Sequence, residues 1–399
     1  MIIIIRNVDV YRPEHLGIKD VLLLGNKIAA IDNNISINVE NFVDVIEIDG
    51  SGKILVPGFI DSHVHILGGG GEGGFSTRTP EVTLTSLTKS GVTTVVGCLG
   101  TDGVSRDMVS LLAKARGLEE EGITAYIYAG SYRLPVKTIT GDVMKDIMVI
   151  DKIIGIGEIA ISDHRSSQPN FSEFCKVVAD ARVGGMLSGK AGIINVHLGD
   201  GVRKLDLLLK AVEETEIPIT QFLPTHINRN EELFKECIEY AKRGGYVDFT
   251  GSENPEFWEE QDGEIRFSKG LKRLLESGVS EDNFTLSSDG QGSLPIFNEK
   301  KEYVGIGIGK STCLLKSIKD AVFNANIPLE TAIRAITSNP AKVLKLKNKG
   351  RIEKGLDSDL CMLDKDTLDI DTVIAKGNIM IQNKEVLVYG NFEEKDKKF

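Results

Sequence analysis

The sequence predicts an α/β fold, a (β/α)₈ barrel joined to a small β-sandwich made from both chain ends, and three observations carry that prediction. Residues 59–288 alternate apolar runs of strand length with amphipathic stretches, the pattern of parallel strands linked by helices. The two ends read differently, as short β-type runs broken by turns. Polar residues recur where the barrel strands end, which is where a barrel keeps its active site.

In the first 55 residues the runs are Ile2–Ile5, Val8–Tyr11, Asp20–Leu24, Lys27–Ile31 and Val43–Ile48, separated by Gly-Asn and Asp-Asn breaks. Near the other end the same style returns in Asp359–Leu363, Thr372–Ala375, Ile379–Gln382 and Glu385–Tyr389. Neither end alone would bury much, so 1–55 and 349–399 are expected to form one small domain around a barrel spanning 56–348.

The expected barrel strands are Phe59–His65, Thr93–Leu99, Thr124–Ala129, Ile153–Ile161, Gly192–Leu198, Ile219–Ile227, Tyr246–Gly251 and Phe284–Ser288. Amphipathic runs at Arg106–Glu121, Ser172–Leu187, Lys204–Thr215, Glu231–Arg243 and Gly270–Ser277 supply connecting helices. Eight such units point to a closed TIM-like barrel rather than an open sheet. No Gly-x-Gly-x-x-Gly follows the first barrel strand, so a dinucleotide site is not indicated.

Bulk properties narrow the class of partner. The 399 residues carry a net charge of -11, which disfavours nucleic acid or an anionic membrane and favours a small ligand. Five scattered cysteines without a Cys-x-x-Cys pair read as reduced, mostly packing residues. The opening Met1–Arg6 is too short an apolar run for a signal peptide, and no segment approaches the roughly 18 uncharged apolar residues of a membrane span. A soluble, cytoplasmic protein is expected.

His63 and His65 close the first barrel strand, one residue apart, so that both imidazoles face the same side. Glu158 falls late in the fourth strand, His197 in the fifth, His226 in the sixth and Asp289 just past the eighth. Taken singly, His197 reads as a core histidine and Asp289 as a turn former. Together they supply ligands for two metal ions: His63, His65 and Asp289 for one, His197 and His226 for the other, with Glu158 bridging. Two zinc ions roughly 3.5–4 Å apart activate water and polarise a carbonyl, chemistry suited to amide hydrolysis.

The chain resembles the amidohydrolase superfamily and, within it, the isoaspartyl (β-aspartyl) dipeptidases, binuclear zinc metalloproteases of peptidase family M38. The resemblance runs along nearly the whole chain. It rests on His63-Val64-His65 followed by Gly68-Gly69-Gly70-Gly71-Glu72, on Thr77-Arg78-Thr79-Pro80-Glu81, Gly100-Thr101-Asp102 and Thr138-Ile139-Thr140-Gly141. Ile161-Ser162-Asp163-His164-Arg165-Ser166, Pro224-Thr225-His226-Ile227-Asn228-Arg229-Asn230 and Ser287-Ser288-Asp289-Gly290-Gln291-Gly292-Ser293 complete it.

This resemblance implies hydrolysis of the isopeptide bond of a β-aspartyl dipeptide. It implies that Glu72 pairs with the substrate ammonium, that Gly70 and Thr101 position the aspartyl part, that Arg165 and Arg229 hold carboxylate, and that Ser293 adds a hydrogen bond. A bridging hydroxide would attack the side-chain carbonyl, Tyr132 would stabilise the oxyanion, and Asp289 would carry the proton to the leaving amine. The family's octamers imply a homo-oligomer. One departure stands out: the family's bridging ligand is a lysine carrying a CO₂-derived carbamate, whereas Gly157-Glu158-Ile159 puts the shorter Glu158 there. Tyr132 as a packed loop tyrosine, and Arg165 or Arg229 as a surface ion-pair member, remain alternatives. So do a cyclic amidohydrolase, a deaminase, and a catalytically inactive assembly protein of the same fold.

Overall fold

The computed structural model describes residues 2–37, 44–297 and 303–394. Nine strands from both chain ends are hydrogen-bonded into one sheet. The first five are Ile2–Tyr11, His15–Leu24, Lys27–Asp32, Val45–Asp49 and Lys53–Pro57, and the last four are Leu360–Asp364, Ile370–Ala375, Asn378–Gln382 and Glu385–Val386. The ends meet where Lys53–Pro57 runs antiparallel to Leu360–Asp364, Val56 opposite Cys361.

Ile2–Ile5 and Val8–Tyr11 are one strand, not two. A shift in register between Ile5 and Val8 is an irregularity of the kind that lets a strand bend without ending. Both halves therefore feed one core of Ile3, Ile5, Val8, Val10, Leu23, Leu55 and Met362. Val43, the first residue of an expected strand, lies outside the described residues, and the strand there is Val45–Asp49. Lys53–Pro57 was not anticipated, because it runs into the barrel strand with only Gly58 between.

Eight further strands run parallel in chain order. We label them β1 (Phe59–Val64), β2 (Val92–Gly97), β3 (Thr124–Ala129), β4 (Ile153–Ile161), β5 (Ile193–Leu198), β6 (Phe222–Thr225), β7 (Val247–Thr250) and β8 (Phe284–Ser287). β1 to β6 form one sheet and β7 pairs with β8. The Ile227 amide donates to the Asp248 carbonyl at 3.3 Å, linking the end of β6 to β7. Beyond β8, the His65 amide donates to the Gly290 carbonyl at 2.9 Å. The parallel sheet is thus curled, and its first strand comes round to its last.

Helices cover the outside. Phe171–Ser188 begins with a capping box in which Asn170 and Glu173 exchange hydrogen bonds, satisfying otherwise stranded backbone donors. Its Phe174 stacks on Phe222 of β6, ring centres 5.8 Å apart. Several elements escaped the sequence pattern, among them the helices Leu84–Thr88, Pro255–Asp262 and Thr312–Phe323. Val143–Val149 is a seven-residue helix, too short for a clear period. The hairpin Ser293–Phe297 with Tyr303–Ile308 stands beside the mouth of the curled sheet and carries Ser293. Among the described residues, no helix is long and apolar enough to cross a membrane.

Candidate active site

The six expected metal ligands converge at the carboxyl ends of the strands. His63 lies in β1, His65 just beyond it, Glu158 in β4 and His197 in β5, all buried. His226 follows β6 and Asp289 follows β8, each with a positive φ, 63° and 51°. Such backbone is uncommon outside glycine and gathers at functional sites.

Glu158 is the hub. Its Oε2 stands 3.0 Å from His197 Nδ1, 3.4 Å from His63 Nε2 and 3.8 Å from His226 Nε2, while Oε1 stands 3.4 Å from His65 Nε2. Asp289 Oδ1 lies 3.0 Å from His65 Nε2 and 3.5 Å from His63 Nε2. Two sets of donor atoms, each mutually within 4.8 Å, share Glu158: one is His63, His65, Cys98 and Glu158, the other Glu158, His197 and His226.

A bulge explains how the short glutamate gets there. Ile156 pairs with Ile194 and Ile159 with Val196, so β4 spends one more residue than β5 across this interval. A bulge re-aims side chains. Gly157 permits it: its φ is +146°, and a Cβ there would stand 2.7 Å from the Asn195 carbonyl oxygen.

Each imidazole has its other nitrogen occupied. His63 Nδ1 donates to Asn195 Oδ1 at 3.0 Å, an orientation fixed because Asn195 Nδ2 donates to the Leu223 carbonyl. His65 Nδ1 faces Cys98 Sγ at 3.7 Å, His226 Nδ1 pairs with the Thr250 hydroxyl at 2.6 Å, and His197 Nε2 meets Asp163 Oδ2 at 3.0 Å. Metal-binding histidines are held in this manner. His63 Nε2 and Glu158 Oε1 are buried with no hydrogen-bond partner among the described residues. This nitrogen and oxygen donor set therefore fits divalent ions of the zinc type.

The charges agree. Burial alone would raise Glu158 and Asp289, but the surrounding histidines hold both carboxyls far below their ordinary range. Burial alone would lower His63 and His65, but Cys98 with Glu158, and Cys98 with Asp289, raise them well above the usual imidazole value. His226 is pushed down to about 3 by burial, with His197 and Arg229 adding to the effect. Anionic carboxylates among buried imidazoles are a site where a cation replaces protons.

Above this cluster lies a cavity of about 320 Å³ whose lining includes Gly70, Glu72, Thr101, Tyr132, Arg165, Arg229, Asp289 and Ser293. Every residue expected to touch substrate is among them. Tyr132 is buried, its hydroxyl 2.9 Å from His197 Nδ1, and burial raises its pKa. Glu72 Oε1 accepts from the Thr101 hydroxyl at 2.7 Å and from Arg165 Nη1 at 3.4 Å. The Arg165 fork is taken up by Asp163, Nε to Oδ1 at 3.0 Å and Nη2 to Oδ2 at 2.7 Å, so Nη1 is the group turned toward Glu72. Arg229 Nη2 reaches His197 Nε2 at 3.5 Å, and its Nε has no hydrogen-bond partner among the described residues. His164 is exposed.

Several contributors were not singled out from sequence. Asn195, Asp163 and Thr250 hold imidazoles, and Asn195 and Asp163 had a signal in lying two residues before His197 and within the Asp-His-Arg run. Cys98, read as a packing residue, belongs to a donor set. Buried Arg106 donates to the carbonyls of Leu67, Gly69 and Thr79, pinning the glycine run beneath Glu72.

A model of the amidohydrolase family matches residues 264–380. A deacetylase of Brucella anthropi is 25% identical over 356 residues, covering 86% of this chain and 79% of its own. A β-aspartyl dipeptidase from Fervidobacterium islandicum AW-1, solved in complex with β-Asp-Leu, superposes with a TM-score of 0.88 at 45% identity, covering 97% of this chain and 98% of that one. An N-acetylglucosamine-6-phosphate deacetylase from Pasteurella multocida shares the fold, at a TM-score of 0.63, 17% identity, and 96% and 100% coverage.

Proposed function

Because this chain belongs to the β-aspartyl dipeptidase family of amidohydrolases, and is therefore a hydrolase acting on peptide bonds, we propose that it cleaves the isopeptide bond of β-aspartyl dipeptides at a two-ion centre. The observation that carries the reading is a cavity lined by both signs of charge, Glu72 beside Arg165 and Arg229 beside His197, that reaches His65, His197 and Asp289 of the metal-ligand cluster. A β-aspartyl dipeptide, with one ammonium and two carboxylates, matches that polarity.

His63, His65 and Asp289 would hold one ion, His197 and His226 the other, and Glu158 both. When bound, two zinc ions supply Lewis acidity and a nucleophilic water at neutral pH. The protein supplies the rest. Glu72 and Thr101 engage the ammonium end beside Gly70, while Arg165, Arg229 and Ser293 engage carboxylate. As water oxygen bonds to the side-chain carbonyl carbon, Tyr132 donates a hydrogen bond to the oxygen that gains charge. Asp289 accepts the proton of the attacking water and delivers it to the nitrogen as the C–N bond breaks, releasing aspartate and the second amino acid.

The architecture in this reading is an eight-stranded barrel over 56–348, with a small β-sandwich from 1–55 and 349–399. The reading extends to a cytoplasmic homo-oligomer, an octamer as in the family. The experiment is a parallel assay of β-Asp-Leu, α-Asp-Leu and a hydantoin, with zinc measured on the same sample. Hydrolysis of β-Asp-Leu alone supports the reading. Preference for the ring would mark a cyclic amidohydrolase, and zinc-loaded protein inert toward all three would sink the reading.

A further inference from the structure

Arg106 is buried and aims its guanidinium at backbone. Its Nε donates to the Leu67 carbonyl at 3.1 Å, Nη2 to those of Gly69 and Thr79 at 2.9 and 3.2 Å, and Nη1 to that of Gly70 at 3.5 Å. The run Gly68–Gly71 has no side chains to pack, and Gly68 and Gly70 take positive φ of 79° and 67°. Its conformation therefore depends on donors for the carbonyls it turns inward. A guanidinium, planar and with five N–H groups, meets several of them at once. Arg106 itself stands just before the helix Met108–Glu120, which Asp107 caps.

The same guanidinium faces a second loop. Arg106 Nη1 lies 3.6 Å from Asp102 Oδ2, and that oxygen also accepts from Arg78 Nη1 at 3.1 Å. Glu72 directly follows the glycine run, Thr101 directly precedes Asp102, and the Thr101 hydroxyl donates to Glu72 Oε1 at 2.7 Å. Gly70, Glu72 and Thr101, the residues given to the ammonium end of the substrate, thus hang on backbone that Arg106 holds from behind the cavity wall. We propose that Arg106 is a positioning residue for the substrate ammonium: by bracing the Gly68–Gly71 run and the Asp102 loop on one guanidinium, it sets where Glu72 and Thr101 meet that group.

The inference rests on the ammonium role of Glu72 proposed above, and its test separates the two. The substrates are β-Asp-Leu and N-succinyl-leucine, which keeps both carboxylates and the amide but lacks the α-ammonium. The zinc-loaded, unmodified protein is expected to favour β-Asp-Leu about 10–100-fold in kcat/KM, the weight of a hydrogen bond to a charged group. Arg106→Met should bring that ratio toward one, mainly by raising KM for β-Asp-Leu, with N-succinyl-leucine affected far less. Arg106→Lys, which restores a cation but not the planar fork, should give an intermediate ratio. Combining Arg106→Met with Glu72→Gln should lower the ratio no further than Glu72→Gln alone, because both act on one contact.

Zinc per chain and Tm are measured on each sample, and zinc should hold, since the hydrogen bonds of Arg106 go to backbone rather than to the six metal ligands. An unchanged ratio in Arg106→Met, or an equal fall on both substrates, would make Arg106 a merely structural residue and overturn the proposal. If Arg106→Met does not fold, Arg106→Lys decides by the same criterion. Unmodified protein that cleaves both substrates equally would instead overturn the role of Glu72, and zinc-loaded protein that cleaves neither would overturn the proposed function.

Discussion

Glu158 Oε2 lies 3.0 Å from Nδ1 of His197 on the neighbouring strand. The contact exists because β4 carries one extra residue opposite Asn195. A glutamate at this position does by backbone displacement what a longer side chain would do by reach, and the shared carboxylate then faces both donor sets.

Glu158→Ala is expected to lose tight binding of both ions, since its carboxylate belongs to both sets. The unmodified enzyme should be indifferent to bicarbonate, because no carbamate is needed. Metal content after dialysis, and turnover in CO₂-free against bicarbonate-supplemented buffer, check this. Two tight ions in Glu158→Ala would end the bridging assignment.

Asp289→Asn should retain most of its metal, because His63 and His65 remain. Turnover on β-Asp-Leu should nonetheless fall about 10²–10⁴-fold, as for removal of a general acid and base. Turnover close to that of the unmodified enzyme, at equal metal content, would assign the proton to another group.

Glu264 lines the same cavity, and burial raises its carboxyl to about 7, with Arg229 pulling it down and Asp262 pushing it up. The folded state therefore binds a proton that the unfolded chain releases near the ordinary 4.5. By linkage, this group's stabilisation is complete below that lower value and is lost as pH rises through about 7. Glu264→Gln should flatten the fall in Tm between these limits, as followed by calorimetry at several pH values. An unchanged slope would mean that Glu264 ionises freely.

Asp61 in β1 is fully buried and accepts from the Ser288 amide at 3.0 Å, the Ser288 hydroxyl at 2.5 Å and the Ser311 hydroxyl at 2.9 Å. It ties the segment bearing Asp289 back to the strand bearing His63. Asp61→Ala strands these donors and should cost about 3 kcal/mol in urea unfolding. A loss under about 0.5 kcal/mol, the range of ordinary surface changes, would show that water replaces the carboxylate.

Alternating apolar runs and polar strand ends determined much of this protein by themselves: the parallel strands, the sharing of one sheet by both termini, and the convergence of His63, His65, Glu158, His197, His226 and Asp289. Strand period and strand-end position are local properties, so they survive in the text of the chain. The extra residue in β4, the hairpin bearing Ser293 and the residues Asn195, Cys98, Asp163 and Thr250 that meet the imidazoles are not local. Each depends on which backbone lies opposite, and Arg165 shows the consequence. Its motif pointed to a carboxylate ligand, and tertiary structure decided which of its nitrogens faces the cavity, Nε and Nη2 meeting Asp163 and Nη1 turning toward Glu72. Sequence supplied the chemical groups, and only the folded register decided which nitrogen, which oxygen and which face each would present.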